Sequence, residues 1–455
     1  MEFVHTPYIP GRTVAAIATP PGSGGVAIIR ISGKEAIATA AKVFSGPVAR
    51  YASHTVHFGT VHTIQGEKID DALLIVMKAP RSFTGEDVVE IQCHGGSLVA
   101  KKVLQAVIDA GCQPAFPGEF SFKSYSNAKI DLAQAEAIQA LIGATNECAL
   151  VASRSQLEGV LSNKVVTLQK QLTHIAAIFE AWVDFPEEDL EFVPFERVIL
   201  DLEQIVCDLE ALIQSFDQGR VLREGVSIAC VGSPNVGKSS LMNALIGKER
   251  VIVSPIPGTT RDSVEESIVV NGITIRLIDT AGIRATDEVI EEEGIRRSWK
   301  AIEEADIVLY VLDSTREETA VHNELLPKEK TIACWNKIDC QAPPMVSLPF
   351  EHVVALSARE RKGLDELKKT ICDIVWKQGA SIQHEIVITS LRHKSALVKA
   401  MAFCNAVING LKRGISAEFV SYDCRAALEE LGTIIGTNVN EDILTAVFSS
   451  FCIGK

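Results

Sequence analysis

The stretch 232-GSPNVGKS-239 decides the fold. It is met directly after the apolar run 226-VSIACV-231 and directly before 240-SLMNALIG-247. A buried strand, a glycine-bracketed loop and a helix, in that order, form the arrangement in which backbone N–H groups wrap phosphates at a helix N-terminus. The spacing predicts that Asn235, Val236, Gly237, Lys238, Ser239 and Ser240 line a β/γ-phosphate site, with the Lys238 ammonium on the phosphates and the Ser239 hydroxyl on Mg2+. A glycine turn ahead of an ordinary helix would look the same in isolation, so the flanking text has to arbitrate.

That text supplies the remaining parts in the order a guanine-nucleotide domain needs them. In 257-PGTTRD-262, Thr260 is a second Mg2+ hydroxyl placed to sense the γ-phosphate. The run 279-DTAG-282 closes a strand with Asp279, a carboxylate for the Mg2+ shell, and the N–H of Gly282 faces the γ-phosphate; Thr280 and Ala281 lie between them. In 336-NKID-339, Asn336 and Lys337 precede Asp339, whose carboxylate accepts two hydrogen bonds from the guanine edge, where adenine presents the wrong pattern. Ser357, Ala358 and Arg359 (357-SAR-359) follow a further strand and hold the guanine oxygen through a backbone N–H. Each tetrapeptide alone is ordinary surface text; five in order predict a GTPase.

One position departs from Ras-type chemistry. The residue after 279-DTAG-282 is Ile283, an apolar side chain that cannot orient water as a glutamine does. The run 287-DEVIEEEG-294 offers five acids for that task, although a solvated helix start is the commoner fate of such a run. Arg261 and Arg284 are candidates for positive charge at the transition state, with surface ion pairing as their ordinary alternative.

Working outward, 455 residues exceed one ordinary core, so two or three domains are expected. Residues 1–118 mix short apolar runs with Gly and Pro and one helix near 97–110, an α+β pattern. From about 127 the text becomes rich in Ala, Leu and Gln at helical spacing. It changes again at 226, where strands begin to alternate with helices, including a hairpin signal at Asn271-Gly272. Helical text returns after 380. The expected architecture is multidomain: an α+β domain (1–118), an α-helical bundle domain (119–220 and 380–455), and an inserted α/β P-loop domain with a mostly parallel sheet (221–379). The five acids of 184-DFPEEDLE-191 read as a solvated connection and not as a metal site, and 392-RHK-394 reads as a solvated helix start and not as a nucleic-acid patch.

The formal net charge of −14 disfavours a general polyanion-binding surface. Eleven scattered cysteines without paired spacing fit neither a disulfide framework nor zinc, and point to a reducing, cytoplasmic setting. No run is long and apolar enough to span a bilayer. The ending 451-FCIGK-455 has the outline of a prenylation box, but Lys is not a usual last residue and no polybasic stretch precedes it, so no lipid anchor is expected.

The whole text resembles the MnmE (TrmE) family of tRNA modification GTPases. The likeness rests on 18-ATPPGSGGVAIIRISG-33, 81-RSFTGEDVVEIQCHGG-96, 117-PGEFSFKSYSNAKIDLAQAEA-137, the nucleotide motifs, and 448-FSSFCIGK-455. The resemblance implies a homodimer with an N-terminal folate-binding domain. It also implies a flavoprotein partner, MnmG, in a heterotetramer. Together these would install a carboxymethylaminomethyl or aminomethyl group at carbon 5 of the wobble uridine of certain tRNAs. The implied carbon donor is 5,10-methylene-tetrahydrofolate, with 5-formyl-tetrahydrofolate as an analogue.

By motif position the resemblance also assigns a K+ ion to Asn235, Ser254, Ile256 and Thr259, in place of an arginine finger, and extends the GTP contacts over Ser254, Pro255, Ile256, Pro257, Gly258 and Thr259. The water-orienting glutamate becomes Glu291, and the folate ligands become Arg30, Glu90, Lys129 and Lys455. Pro257 stands where many relatives have Ala. Two rival classes share the nucleotide motifs, a regulatory switch and a ribosome-assembly GTPase. The second needs a basic RNA-binding module that this text lacks. Cys452 reads as an inert thiol, because nothing near it in sequence lowers its pKa.

Overall fold

The computed structural model describes residues 11–184, 194–247, 266–270, 273–279, 302–316, 326–346, 348–377 and 386–454. The first part of the chain runs β1 (Val14–Ile17), β2 (Val26–Ser32), α1 (Ala36–Val43), β3 (Thr55–His62), β4 (Lys68–Met77), β5 (Val88–His94), α2 (Ser97–Asp109), β6 (Gln113–Pro114), α3 (Glu119–Ser126), α4 (Leu132–Ile142), α5 (Glu147–Leu157), α6 (Val160–Asp184) and α7 (Phe195–Glu224). It continues β7 (Val226–Val231), α8 (Lys238–Ile246), β8 (Glu266–Val270), β9 (Ile273–Asp279), β10 (Ile307–Asp313), β11 (Thr331–Asn336), β12 (His352–Ala355), α9 (Leu364–Lys377), α10 (Leu391–Lys412), α11 (Ala417–Ile435) and α12 (Glu441–Ser449). Two compact units result: Met1–Gln139 with Gln156–Ala177 and Cys424–Lys455, and Ala140–Ser155 with Ile178–Asp423.

The first unit is built on a sheet of order β3-β4-β5-β2-β1-β6, antiparallel except where β1 meets β6. Period-two alternation sends Ile29, Ile31, Leu74, Val76, Val89 and Ile91 to one face. There they pack on Ala36, Ala40 and Val43 of α1 and on Ala100, Val103 and Val107 of α2. On the opposite face Arg30 and Glu90 are only partly buried. The chain's end belongs to this unit: Phe448 and Phe451 share a core with Leu132 and Ala135, flanked by Phe122 and Tyr125.

The second unit carries a sheet of order β12-β11-β10-β7-β9-β8, parallel except for the β8–β9 pair. Strands β7, β10 and β11 are buried at every position, as a sheet covered on both faces requires. Alternate residues serve opposite layers. Ile228, Cys230, Leu309, Val311, Ile332 and Cys334 pack beneath α8 and α9, while Val308, Tyr310, Leu312, Ala333 and Trp335 face the other layer. The expected hairpin is present, with β8 and β9 pairing antiparallel across two residues.

Helix α7 packs along α10 through the stripe Val198, Leu202, Ile205, Leu209, Leu212 and Phe216. It then feeds into β7 at Gly225, whose φ of +75° and close approach to the Thr274 carbonyl leave no room for a Cβ. Two polar clamps hold the N-terminal ends of the strands. Asp306, just before β10, accepts hydrogen bonds from Arg220 of α7 (2.9 Å) and from the Ser227 N–H (2.9 Å) and hydroxyl (2.7 Å). The Asn146 amide donates to the Thr274 hydroxyl on β9 (2.9 Å) and to the Leu222 carbonyl (3.3 Å), while its carbonyl oxygen caps α5 at Ala149 N–H (2.7 Å). The far ends of these strands are thereby left to carry chemistry, as in open α/β sheets generally.

The expectation for 392-RHK-394 fails. Arg392 donates to His393 Nε2 (2.9 Å), His393 is fully buried, and Lys394 pairs with Asp217 (3.5 Å) over the Phe216 ring. Position 393 heads the buried stripe of α10, continued by Ala396, Leu397, Ala400 and Cys404. Packing, and not solvation, therefore governs the helix start. The acids of 185–191 lie outside the described residues.

Candidate functional site

The C-terminal ends of β7, β10 and β11 bring the predicted nucleotide residues together. At the end of β7 the loop turns through Gly232 and Asn235, the latter in the left-handed region at φ +63°, and enters α8 at Gly237 (φ +99°). A Cβ at Gly237 would collide with the Asn336 side-chain amide, so glycine there is a packing requirement as well as a conformational one. Lys238 lays its ammonium back over the loop, donating to the carbonyls of Gly232 (2.8 Å) and Ser233 (2.9 Å). Ser239 and Ser240 stand exposed on the first turn of α8, where free N–H groups and the helix dipole favour anions.

The turn 336–339, expected to read the base, is braced on this loop. Asn336, buried at the end of β11, donates to the Val236 carbonyl (2.9 Å) and accepts from the Ala358 N–H (3.0 Å), which ties three predicted segments with one side chain. Lys337 (φ +67°) donates to the Asn235 carbonyl (2.9 Å). Asp339 is exposed and receives the Ser357 hydroxyl on Oδ1 (2.6 Å). That bond, with the Asp339 and Cys340 donors and the Arg359 charge beside it, outweighs the slight desolvation and holds the Asp339 carboxyl below its usual range. A fixed, ionised acceptor is what recognition of two N–H donors on one base edge demands. Ser357 is itself held by reciprocal backbone bonds with Lys362 (3.0 and 3.2 Å). Arg359 is exposed beside it.

Asp279 ends β9 beside Cys230 of β7. Its side chain, and all of Ser254, Pro255, Ile256, Pro257, Gly258, Thr259, Thr260, Thr280, Ala281, Gly282 and Glu291, lie outside the described residues.

In the first unit, antiparallel register makes Arg30 of β2 and Glu90 of β5 direct partners, and their side chains form an ion pair (Nε–Oε1 2.8 Å). The same guanidinium donates to the carbonyl of Gly454 (3.1 Å) and lies 5.7 Å from the Phe120 ring centroid. Two of the residues taken from the resemblance thus meet each other and the chain's tail. Lys129 is exposed and donates to the Pro80 carbonyl (3.2 Å); Lys455 lies outside the described residues.

Sequence reasoning missed the support beneath this pair. Lys123 of α3 is fully buried, its ammonium bonded to Glu86 Oε2 (2.6 Å) and to the carbonyls of Arg12 (2.5 Å) and Ser32 (3.3 Å). Ser124 and Asn127 hold the carbonyls of Phe83 (2.8 Å) and Thr84 (2.7 Å). Segment 81–87 is therefore welded to α3, one turn ahead of Lys129. The only hint in the text was a lysine directly after Phe122, within an aromatic run that extends from Phe120 to Tyr125. Among the described residues no group of His, Cys, Asp and Glu is arranged to hold a metal ion by itself, and no helix is long and apolar enough to cross a membrane.

A family model described as the MnmE helical domain matches residues 132–452, and one described as the GTP-binding protein TrmE N-terminus matches residues 13–129. The tRNA modification GTPase MnmE of Protochlamydia amoebophila (strain UWE25) is 55% identical over 458 residues, covering 100% of both chains. Its counterpart in Chlamydia felis (strain Fe/C-56) is 44% identical over 450 residues, covering 98% of this chain and 100% of the relative.

Proposed function

Because this chain belongs to the MnmE (TrmE) family of tRNA modification GTPases, and is a GTP hydrolase of tRNA modification, we propose that it couples K+-dependent GTP hydrolysis to building a carboxymethylaminomethyl or aminomethyl group on carbon 5 of the wobble uridine of certain tRNAs. It does so as a cytoplasmic homodimer with an MnmG-like flavoprotein, drawing carbon from 5,10-methylene-tetrahydrofolate. Residues 1–118 bind folate and dimerise, 119–220 with 380–455 form the helical scaffold, and 221–379 are the GTPase insert.

The observation that carries this reading is the pairing of Arg30 with Glu90 on one sheet, with the Gly454 carbonyl bonded to the same guanidinium. A carboxylate fixed by one guanidinium, with a second oxygen to spare, suits the donor-rich edge of a pterin, and Arg30 and Lys129 suit a carboxylate tail. Methylene-tetrahydrofolate, when bound, supplies the one-carbon unit. The chain's own part is to orient it with Arg30, Glu90, Lys129 and Lys455.

In the nucleotide site, Lys238 and the α8 N-terminus receive the phosphates, and Asp339, Ala358 and Arg359 read the base. Ser239 presents a hard oxygen donor from an exposed helix start, which fits Mg2+; Thr260 is its second hydroxyl. Asn235, on an exposed left-handed turn of the phosphate loop, fits a monovalent cation together with Ser254, Ile256 and Thr259. These cations, when bound, neutralise charge that develops on the phosphates. Glu291 orients the attacking water.

Mass spectrometry of wobble uridines in tRNA from cells lacking this protein tests the proposal; the modified nucleosides should disappear, and an unaltered nucleoside profile would overturn it. Hydrolysis of GTP should also accelerate with K+ and not with Na+, and Arg30→Ala should lose reduced-folate binding while retaining GTP binding.

A further inference from the structure

Strand β10 reads IVLYVLD, and all seven residues are buried, including the aspartate that ends it. Asp313 is 1% exposed. A carboxylate in that position is costly unless it is paired and hydrogen-bonded, and here both oxygens are committed. Oδ1 accepts the Thr315 N–H (3.0 Å) and hydroxyl (2.7 Å), and Oδ2 accepts the Lys337 ammonium (2.6 Å). Parallel register sets Asp313 directly beside Asn336, the first residue of the base-reading turn. Burial alone would raise the pKa of this group, but Lys337 and Thr315 outweigh it and hold the carboxyl below its usual range.

The Lys337 ammonium has a second acceptor, the carbonyl of Asn235 (2.9 Å), and both Lys337 and Asn235 sit in the left-handed region that side chains rarely adopt. A flexible four-carbon stem does not hold such a bridge unaided. We propose that Asp313 is a positioning residue of the guanine-nucleotide site, the fixed counter-ion that holds Lys337 across the phosphate loop and so locks Asn235 to the turn that reads the base. The inference rests on the nucleotide-site reading given above, and its K+ consequence on Asn235 as a cation ligand.

The test uses the full-length protein and a fluorescent GDP analogue, with the dissociation rate read by displacement. Measurable binding by the wild type establishes the underlying reading first; its absence would overturn that reading and this inference together. Asp313→Asn keeps the shape and the Thr315 contacts but removes the charge. It should speed dissociation about ten-fold or more and raise KM for GTP by a similar factor, while kcat falls less than about three-fold. Lys337→Met should do the same.

The double variant should dissociate no faster than either single one, because both remove one interaction. A merely structural aspartate would lower the melting temperature without this non-additivity. At saturating GTP, Asp313→Asn should also raise the K+ concentration for half-maximal hydrolysis at least three-fold. Should Asp313→Asn fail to fold, Thr315→Val removes the hydroxyl bond to Oδ1, leaving the backbone N–H in place, and should speed dissociation two- to four-fold. Less than a two-fold change in dissociation for a folded Asp313→Asn or Thr315→Val, or a double variant whose effect is the product of the two single ones, overturns the proposal. An unmoved K+ requirement with the cycle intact removes only the link to Asn235 as a cation ligand, and so overturns that part.

Discussion

Lys123→Met probes what holds segment 81–87 to α3 in the unit that carries the Arg30–Glu90 pair. The lysine stem is wholly buried, and methionine fills nearly the same volume, so no large cavity forms. What disappears is the ammonium that satisfies Glu86 (2.6 Å) and the carbonyls of Arg12 (2.5 Å) and Ser32 (3.3 Å). Glu86 keeps only 14% of its side chain exposed, so its charge is left mostly desolvated. Breaking a buried pair on one side costs about 3–5 kcal/mol. At 1.4 kcal/mol per factor of ten, that is roughly a hundred- to several-thousand-fold in local opening.

The assay is amide hydrogen exchange on the full chain, which reports opening region by region where a single unfolding transition would not. Amides of β2 and β5 should exchange faster by that factor, while those of β7 and β10 stay unchanged as an internal control. Reduced-folate binding should weaken in parallel, because segment 81–87 and Lys129 hang on the same helix. Pairing the change with Glu86→Gln should recover about 2 kcal/mol of the loss. Acceleration below about five-fold in β2 and β5, or no recovery in the double variant, would refute the reasoning.

Other expectations follow from single contacts. Gly237→Ala must place a Cβ against the Asn336 amide at φ +99°, so nucleotide binding should fall at least a hundred-fold by equilibrium titration; near-normal affinity would contradict the packing argument. Asp306 is held below its ordinary 3.8, because the Ser227 N–H and hydroxyl and Arg220 outweigh its burial. A depressed carboxylate contributes stability that is complete above its unfolded value and is lost as pH falls from 3.8 through the folded one. Asp306→Asn should therefore be less stable than wild type by about 1.5–3 kcal/mol at pH 7, toward the low end given the solvent screening of Arg220. The gap should close below pH 4, and a gap independent of pH in thermal melts would exclude this origin. Glu291→Ala should slow turnover several-fold or more with GTP affinity near normal; an unchanged rate would reassign the water. Cys452 is exposed, and Cys452→Ser should keep both folate binding and GTP hydrolysis, with loss of either in a folded variant contradicting its reading as an inert thiol.

What was legible in the sequence was local structure carried by contiguous residues. The loop 232–239 and the turn 336–339 announce themselves because phosphate wrapping and base reading each need a few residue types at fixed local spacing. The Asn271-Gly272 hairpin was legible for a similar reason, since its two flanking strands are β-rich on both sides. Strand β3 was less visible. Its text, TVHFGTVH, spends its outward positions on Val56 and Phe58, both exposed, and carries histidines and a glycine where an apolar pattern would be expected.

His393 shows how one cue can mask another. Three adjacent basic letters suggested solvent, yet the spacing 393, 396, 397, 400 and 404 is that of a buried helical face. Burial of the imidazole adds apolar contact along a stripe that is already committed to the core, whereas a solvated start would have gained only the weak benefit of exposed charge. The periodicity was the stronger physical term.

Asp313 and Lys123 lay beyond any local pattern. Asp313 acts on Lys337 across a strand pair, 24 positions along the chain, and Lys123 satisfies carbonyls 111 and 91 positions away. Such roles are set by register and by which backbone oxygens a fold leaves unpaired, and neither quantity exists until the sheet has formed. The residues proposed to touch the nucleotide can therefore be read from short motifs, while those that hold them in place, such as Asp313, must be read from the fold; on this reading, Asp313→Asn should alter GTP handling without disturbing any recognisable motif.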